Sequence, residues 1–285
     1  MFIWLASYPK SGNTFVRSML AAYFFSKDGK FNFKLLKNIK QFPDLTLFKN
    51  LGVDINDKTE VIKNYVKVQE KINKIDGQSL RFVKTHSALI SINGYKFTNL
   101  KNSLGVIYIV RDPRKVILSY ANHNQKNLEQ SLGELSKLSV LGGKIYNQDK
   151  MLDMIDTHVG SWTSNYNSWK QFKKYDRYLL VKYEDLISDP KNSFLLMFNF
   201  IQKLSKKELT LDKSKLENVL KTTSFEYLQK LEDESSFHEA PRTPDKKLIK
   251  FFKYGKKNTG KNIPINIGKK LEESFSLEMK ELGYL

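Results

Sequence analysis

The sequence of 285 residues contains no cysteine, which excludes disulfide scaffolds, thiol catalysis and Cys-ligated zinc or iron–sulfur sites. It also lacks any stretch of the roughly 20 apolar residues that a membrane-spanning helix needs. A basic leader with a cleavage pattern is missing too, and an apolar run starts directly at Phe2. These absences predict a cytoplasmic protein without a membrane span, whose first core strand lies at its N-terminus.

Positive charge is in excess, since 48 Lys and Arg face 30 Asp and Glu and give a net charge of +18. Such an excess favours an anionic partner, which is a nucleic acid, an acidic membrane or the phosphates of a small molecule. The lysines are dispersed along the chain, as on a solvated surface, and no RNP stretch or helix-turn-helix signal accompanies them. We therefore expect no nucleic-acid partner.

Short apolar runs of strand length alternate with stretches of helical periodicity. The runs are continuous rather than alternating, which is typical of parallel strands buried on both faces. They are Phe2–Ala6, Leu80–Thr85, Gly105–Val110 and Tyr178–Tyr183. This order predicts an α/β fold, with one domain over residues 1–285 and a central, mostly parallel sheet flanked by helices. Residues 124–160 and 232–262 are less regular, and we predict that they form loops or lids over a site.

The turn after the first strand reads YPKSGNT, from Tyr8 to Thr14. Glycine, lysine and hydroxyl side chains between a strand and a helix suit a phosphate, because backbone N–H groups face the anion and Lys10 adds a full charge. Lys10 precedes Gly12, whereas the lysine of a Walker A loop follows its last glycine. The sequence therefore predicts a P-loop-like phosphate-binding turn of another kind.

Charged and polar residues also follow the later strands, where ligands bind in doubly wound sheets. Lys84 and His86 follow the second strand, and a histidine there can act as a general base, although a single histidine is more often a packing residue. Arg111 follows the third strand and suits charge-assisted bonds to a phosphate. Ser119 lies two turns inside the next helix, which Asp112-Pro113 is expected to open.

The fourth strand leads into Tyr183, Glu184 and Asp185. The two acids can be read as a catalytic or metal-binding pair. Neighbouring residues on a strand point to opposite faces, however, so we do not expect them to share a site. Tyr183 is a candidate for stacking on a ligand or for hydrogen bonding to it.

In this order the clusters resemble the sulfotransferase family that uses 3′-phosphoadenosine 5′-phosphosulfate (PAPS), over nearly the whole chain. YPKSGNT is similar to the family's 5′-phosphosulfate loop YPKSGTTW, VKTH to its catalytic histidine segment, and YIVRDPRKVILSY to its 3′-phosphate motif. VKYEDL and the TTSF of Thr222–Phe225 are similar to segments that line the adenine. HVGSWTSNYNSW, from His158 to Trp169, is similar to a GSW…SW segment of bacterial members.

The resemblance implies transfer of a sulfuryl group from PAPS to a hydroxyl or amine of a small-molecule or glycan acceptor, with 3′-phosphoadenosine 5′-phosphate (PAP) as product. It makes His86 the general base and Lys10 the group that stabilises the departing bridging oxygen, assisted by Lys84. Fixed cations suffice for such an in-line transfer, so we expect no metal. The nucleotide ligands that it implies are Lys10, Ser11, Gly12, Asn13, Thr14, Phe15, Arg111, Ser119, Tyr183, Thr223 and Phe225.

The sequence departs from the family pattern at several positions. Phe15 stands where the loop has Trp and keeps an aromatic platform, and Asn13 replaces a Thr. The C-terminal RKGxxGxWKN motif is degenerate, with Lys253 in the Arg position and Gly255 in that of the first Gly as further nucleotide ligands. The dimer motif of animal members is not recognisable, which leaves the oligomeric state open.

Two other functions remain open. One is a small-molecule kinase with a P-loop-like turn, and the other is a non-catalytic nucleotide-binding relative. The order of Lys10 before Gly12 and the spacing of Arg111 and Ser119 favour the sulfotransferase over the kinase. The presence of Lys10, Lys84 and His86 argues against a non-catalytic protein.

Overall fold

The strands form one parallel sheet and two antiparallel hairpins. The computed structural model describes residues 1–73, 81–147, 150–235, 237–241, 247–253 and 263–285. Within these ranges the strands are β1 Phe2–Ser7, β2 Arg81–Thr85, β3 Ser91–Ile92, β4 Tyr95–Lys96, β5 Ser103–Val110, β6 Ser139–Asn147, β7 Lys150–Gly160 and β8 Tyr178–Lys182. The central sheet has the order β2-β1-β5-β8, and every neighbouring pair in it is parallel. The predicted fold class is confirmed.

Helices follow the strands and cover the sheet. The α-helices of the described ranges are α1 Asn13–Phe25, α2 Leu45–Lys49, α3 Lys58–Lys63, α4 Tyr65–Ile72, α5 Pro113–Asn124, α6 Leu128–Ser136, α7 Trp162–Trp169, α8 Tyr183–Ser188, α9 Pro190–Ser205, α10 Lys213–Thr222, α11 Phe225–Glu234, α12 Ile265–Ser274 and α13 Ser276–Glu281. Short 3-10 helices span Phe33–Asn38 and Lys170–Tyr175. Asp112 caps α5 with Pro113 in its first turn, as expected.

Two hydrophobic cores lie on the two faces of the sheet. Trp4 and Tyr108 point into the first core, which α4, α5, α7, α12 and α13 complete. Leu5 and Ile107 point into the second core, where α1, α9, α10 and α11 pack. Because side chains alternate along a strand, burial of both faces makes every residue of β1 apolar or small. This is why the strands were recognisable as continuous apolar runs.

Two expectations need correction. Residues 124–160 are not an irregular segment, since they contain α6 and the antiparallel β6–β7 hairpin. Leu132 and Leu135 lie one helical turn apart and are buried, and this short apolar stripe holds α6 in place. The other correction concerns Glu184 and Asp185, which occupy the first turn of α8 rather than a strand. The helix dipole favours acidic side chains in the first turn, which explains why two acids stand side by side in the sequence without a shared metal or catalytic site.

The sheet register brings the carboxyl ends of its strands to one edge. Ala6 pairs with Thr85 of β2, and Ser7 pairs with Ile109 of β5. Val110 pairs in turn with Lys182 of β8. The segments that leave these strands therefore start side by side, where a doubly wound sheet holds its ligands.

Candidate functional site

The turn between β1 and α1 is tight and left-handed at two positions. Lys10 has a φ of 67° and Gly12 a φ of 102°. Gly12 is the N-cap of α1 and carries no side chain, so the N–H groups of the helix start face the space beyond its end. Asn13 Nδ2 donates to the Leu5 carbonyl at 2.9 Å and to Ser7 Oγ at 3.1 Å. These two bonds tie the helix start back to β1 and give the turn a fixed shape suited to an anion.

The end of β5 and the start of α8 close over this turn. The Arg111 guanidinium lies 4.1 Å from the centroid of the Tyr183 ring. Arg111 Nη1 donates to the Lys10 carbonyl at 3.4 Å, and the Tyr183 ring lies against Gly12. Burial raises the pKa of Tyr183, so its hydroxyl stays protonated. Arg111 and Tyr183 are thus brought together with the turn.

Three buried donors in or beside the turn have no hydrogen-bond partner in the part of the chain that the structure describes. They are the Ser11 hydroxyl, the Arg17 Nε–H and the Arg111 Nε–H, and the acceptor Asn13 Oδ1 is also without a partner there. A buried donor without a partner costs about 1–3 kcal/mol. Natural proteins keep such groups where a ligand satisfies them. The three donors outnumber the one acceptor and lie in a cation-rich region, and this chemistry fits a phosphate or sulfate.

His86 is held in one tautomer at the end of β2. Its Nδ1 lies 2.9 Å from the Ser7 carbonyl and 3.2 Å from Ser7 Oγ. A carbonyl oxygen only accepts, so Nδ1 carries the hydrogen and Nε2 keeps its lone pair. Burial, together with the charge of Lys84, lowers the pKa of His86 to about 3. His86 is therefore neutral at pH 7, and its Nε2 carries no proton.

Helix α7 fixes the backbone that follows the His86 side chain. Asn165 Nδ2 donates to the His86 carbonyl at 2.9 Å, and Trp169 Nε1 donates to the Ser87 carbonyl at 3.0 Å. Asn165 Oδ1 accepts from the Tyr108 hydroxyl at 2.8 Å inside the first core. The GSW…SW segment is thus a support for the histidine, a role that its sequence alone did not indicate.

The two lysines of the site are sheltered from water. Lys10 Nζ lies 3.3 Å from His123 Nδ1 and 3.8 Å from the centroid of the Phe251 ring. Burial lowers the pKa of Lys10 to about 7, and that of Lys84 to about 8. The charge of Lys84 contributes to the lowered pKa of Lys10. Each can switch its charge near neutral pH.

The other predicted nucleotide ligands lie on several different elements. Thr223 is buried, with its hydroxyl bound to the Val219 carbonyl at the end of α10, and Phe225 begins α11. Lys253 Nζ donates at 3.0 Å to Asn122 Oδ1, one helical turn beyond Ser119 on α5. Lys253 therefore approaches the helix face predicted for the 3′-phosphate. Thr14 lies in the first turn of α1, and the half-buried Phe15 packs into the second core. Gly255 lies outside the described residues.

Four residues of the cluster escaped the sequence prediction. Arg17 and Glu239 form an ion pair of 2.6 Å, while His123 and Phe251 contact Lys10. Arg17 follows Thr14 by three residues, so its helical spacing was a usable signal. His123 likewise follows Ser119 by four residues on α5, whereas Glu239 and Phe251 lie on distant segments and had no local signal.

The Sulfotransferase domain family matches residues 2–283, and the chain belongs to this family. Flavonol 3-sulfotransferase of Flaveria bidentis is 27% identical over 268 residues, which cover 91% of this chain and 75% of that protein. Sulfotransferase 2A1 of Rattus norvegicus is 27% identical over 128 residues, or 44% of this chain and 38% of the rat protein. The crystal structure of mouse sulfotransferase SULT7A1 complexed with PAP has a TM-score of 0.55 and 16% identity, covering 98% of this chain and 84% of that one. The predicted family and enzyme class are confirmed.

Two further structural features bear on cofactors and membranes. Among the described residues, no group of three or more His, Asp or Glu side chains is placed to hold a metal ion. Within the same ranges, none of the helices combines the length and the apolar character needed to cross a bilayer.

Gly12→Ala is expected to destabilise the protein. The added Cβ would lie 2.4 Å from Tyr183 Cδ2, in addition to the strain of a left-handed φ. Gly52→Ala is the matched control, because Gly52 has a φ of 71° and open space around its Cα. The φ strain alone costs about 1–2 kcal/mol, and the clash should add about 1–3 kcal/mol at Gly12. Urea unfolding measures both, and equal losses would contradict the contact with Tyr183.

Proposed function

We propose that the chain transfers a sulfuryl group from PAPS to a hydroxyl or amine of a small-molecule or glycan acceptor. One observation carries the proposal. His86 is neutral, its Nδ1 is held by the Ser7 carbonyl, and its Nε2 carries no proton. The same end of the sheet carries Lys10 and Lys84, whose ammonium groups have lowered pKa values. A base and neighbouring cations are the groups that an in-line transfer between two oxygens needs.

His86 Nε2 takes the acceptor's proton while the acceptor oxygen or nitrogen forms its bond to sulfur. The bond from sulfur to the bridging oxygen of the donor breaks, and its electron pair stays on that oxygen. Lys10 neutralises the charge that develops there, and Lys84 assists. No covalent intermediate with the protein is required, so positioning and charge neutralisation supply the catalysis.

The donor side is supported by the groups around the β1–α1 turn. Ser11, Gly12, Asn13 and Thr14 surround the position proposed for the 5′-phosphate, and the unpartnered Ser11 hydroxyl fits an anion there. Arg111, Ser119 and Lys253 are proposed for the 3′-phosphate. Phe15, Tyr183, Thr223 and Phe225 are proposed to frame the adenine. The mouse relative was crystallised with PAP, which supports the same nucleotide here.

The acceptor is proposed to approach Lys10 from the side of His123 and Phe251, which contact its ammonium. The name of the Flaveria relative indicates a flavonol hydroxyl as its acceptor, and this supports a small-molecule alcohol. Residues 124–160 and 232–262 remain the proposed lids over this side.

PAP is expected to raise the Tm of the protein, and ATP with magnesium is expected to raise it less. A ligand that binds the native state stabilises it, and the proposed 3′-phosphate site recognises PAP alone. Differential scanning fluorimetry with each nucleotide at equal concentration measures the shifts. Stabilisation by ATP–magnesium and none by PAP would favour the kinase and overturn the proposal.

His86→Ala should lower turnover of labelled PAPS by about 10²–10⁴-fold, because the acceptor then loses its general base. PAP affinity should change little, since the side chain is not proposed to touch the nucleotide. His158→Ala is the matched control, because His158 lies on β7 and is half-buried. Wild-type turnover in His86→Ala would remove the histidine from its proposed role.

PAP affinity should fall as the pH rises from 7 to 9. The pKa of Lys10 is about 7 and that of Lys84 about 8, so both ammonium groups lose their charge across this range. A bound anion favours the protonated lysines, so binding should take up protons. Isothermal titration calorimetry in two buffers of different ionisation enthalpy measures this uptake. Constant affinity without proton exchange would contradict the assignment.

A further inference from the structure

Glu239 places a carboxylate inside the cationic cluster, and the proposed reaction gives it no task. Its Oε1 accepts from Arg17 Nη1 at 2.6 Å. Its Oε2 lies 3.6 Å from Lys84 Nζ and 3.4 Å from Thr14 Oγ1, which donates to it. Its side chain is 21% exposed, and its cationic partners hold its pKa well below the usual range. The group is therefore ionised and anchored.

The anchor of this carboxylate is itself rigid. The Arg17 side chain is only 4% exposed, and its Nη2 donates to the Ile39 carbonyl at 3.2 Å. Arg17 therefore fixes one oxygen of Glu239 with a short, charge-assisted bond. The second oxygen is left facing Lys84 and Thr14.

The lengths of these contacts differ in an informative way. The bond to Arg17 is short, whereas the approaches to Lys84 and Thr14 exceed 3.3 Å. An ammonium group has three hydrogens. A weak contact to Glu239 orients Lys84 and leaves it able to bond to a substrate oxygen. The arrangement is that of a positioning group rather than a closed ion pair.

We propose that Glu239 is a positioning residue for sulfuryl transfer, which holds the Lys84 ammonium toward the donor from its anchor on Arg17. This inference rests on the proposed function, in which Lys84 assists at the bridging oxygen. Residues 237–241 follow α11 in the chain, and through Glu239 they take a direct part in the site.

The same contact keeps Lys84 charged. Arg17 from α1 lowers the pKa of Lys84, and Glu239 raises it. Lys10 from the β1–α1 turn, His86 from the end of β2, His123 from α5 and His238 beside Glu239 also face this charge. These four side chains are positively charged or neutral, so none of them stabilises the Lys84 ammonium. Without the negative charge of Glu239, nothing among them offsets the lowering of the Lys84 pKa by burial.

The test compares Glu239→Gln with Glu234→Gln, an exposed carboxylate at the end of α11 that pairs with Lys230. Glu239→Gln should lower kcat for labelled PAPS with 2-naphthol as probe acceptor by about tenfold or more, with KM for PAPS within about threefold. The alkaline limb of its pH profile should move down by roughly half to one pH unit. Glu234→Gln should match the wild type.

A titration that needs no acceptor gives the second readout. NMR of ¹⁵N-labelled lysine side chains should show the Lys84 pKa lowered in Glu239→Gln and raised in Arg17→Gln, because the two partners act on it with opposite sign. Circular dichroism and Tm confirm that each variant is folded.

Three results would overturn the inference. The first is that Glu239→Gln loses the same fraction of its activity at every pH while the Lys84 pKa stays unchanged. The second is an unchanged kcat in this variant. The third is tighter PAPS binding by this variant without any loss of kcat. The last would make Glu239 a competitor of the donor anion. A wild-type protein that binds PAP but not PAPS, or neither, would instead defeat the proposed function, and the lysine titration would still decide the contact.

Discussion

Several cations buried in a small volume are the constraint on which this structure depends. Lys84 and Arg111 are each less than a tenth exposed, and Lys10 is sheltered beside them. Desolvation and mutual repulsion both disfavour such a cluster, and they lower the pKa of Lys10 and Lys84 toward neutrality. Glu239, cation–π contacts and neutral histidines offset part of the cost. The part of the cost that is not offset favours binding of an anion at this edge of the sheet, which supports the proposed site for the donor.

Much of the fold was predictable because the sheet is covered on both faces. Burial on both sides makes β1, β2, β5 and β8 continuous apolar runs, and a run of this kind is visible in a single sequence. The β6–β7 hairpin was not predicted, because its residues carry polar side chains and glycines without strict alternation. Its pairing is set by tertiary context rather than by local pattern.

The individual groups of candidate site residues were recognisable where their members are close in the chain. Lys10 to Thr14 form one turn, and VKTH ends one strand, so their chemistry could be read from consecutive letters. Glu239 lies 222 residues from Arg17, and Asn165 lies 79 residues from His86. Contacts across such separations come from the folded topology, and no periodicity or motif in one sequence encodes them.

The contact between Gly12 and the Tyr183 ring has a consequence for how the chain can vary. The ring occupies the space of the missing Cβ, and the Arg111 guanidinium lies against the same ring. Three segments from three strand ends thus form one stack, in which the size of each member limits the others. A smaller side chain at Tyr183 would release the steric restriction at Gly12 but would withdraw the surface on which Arg111 rests. These positions are therefore expected to change together or not at all in related chains.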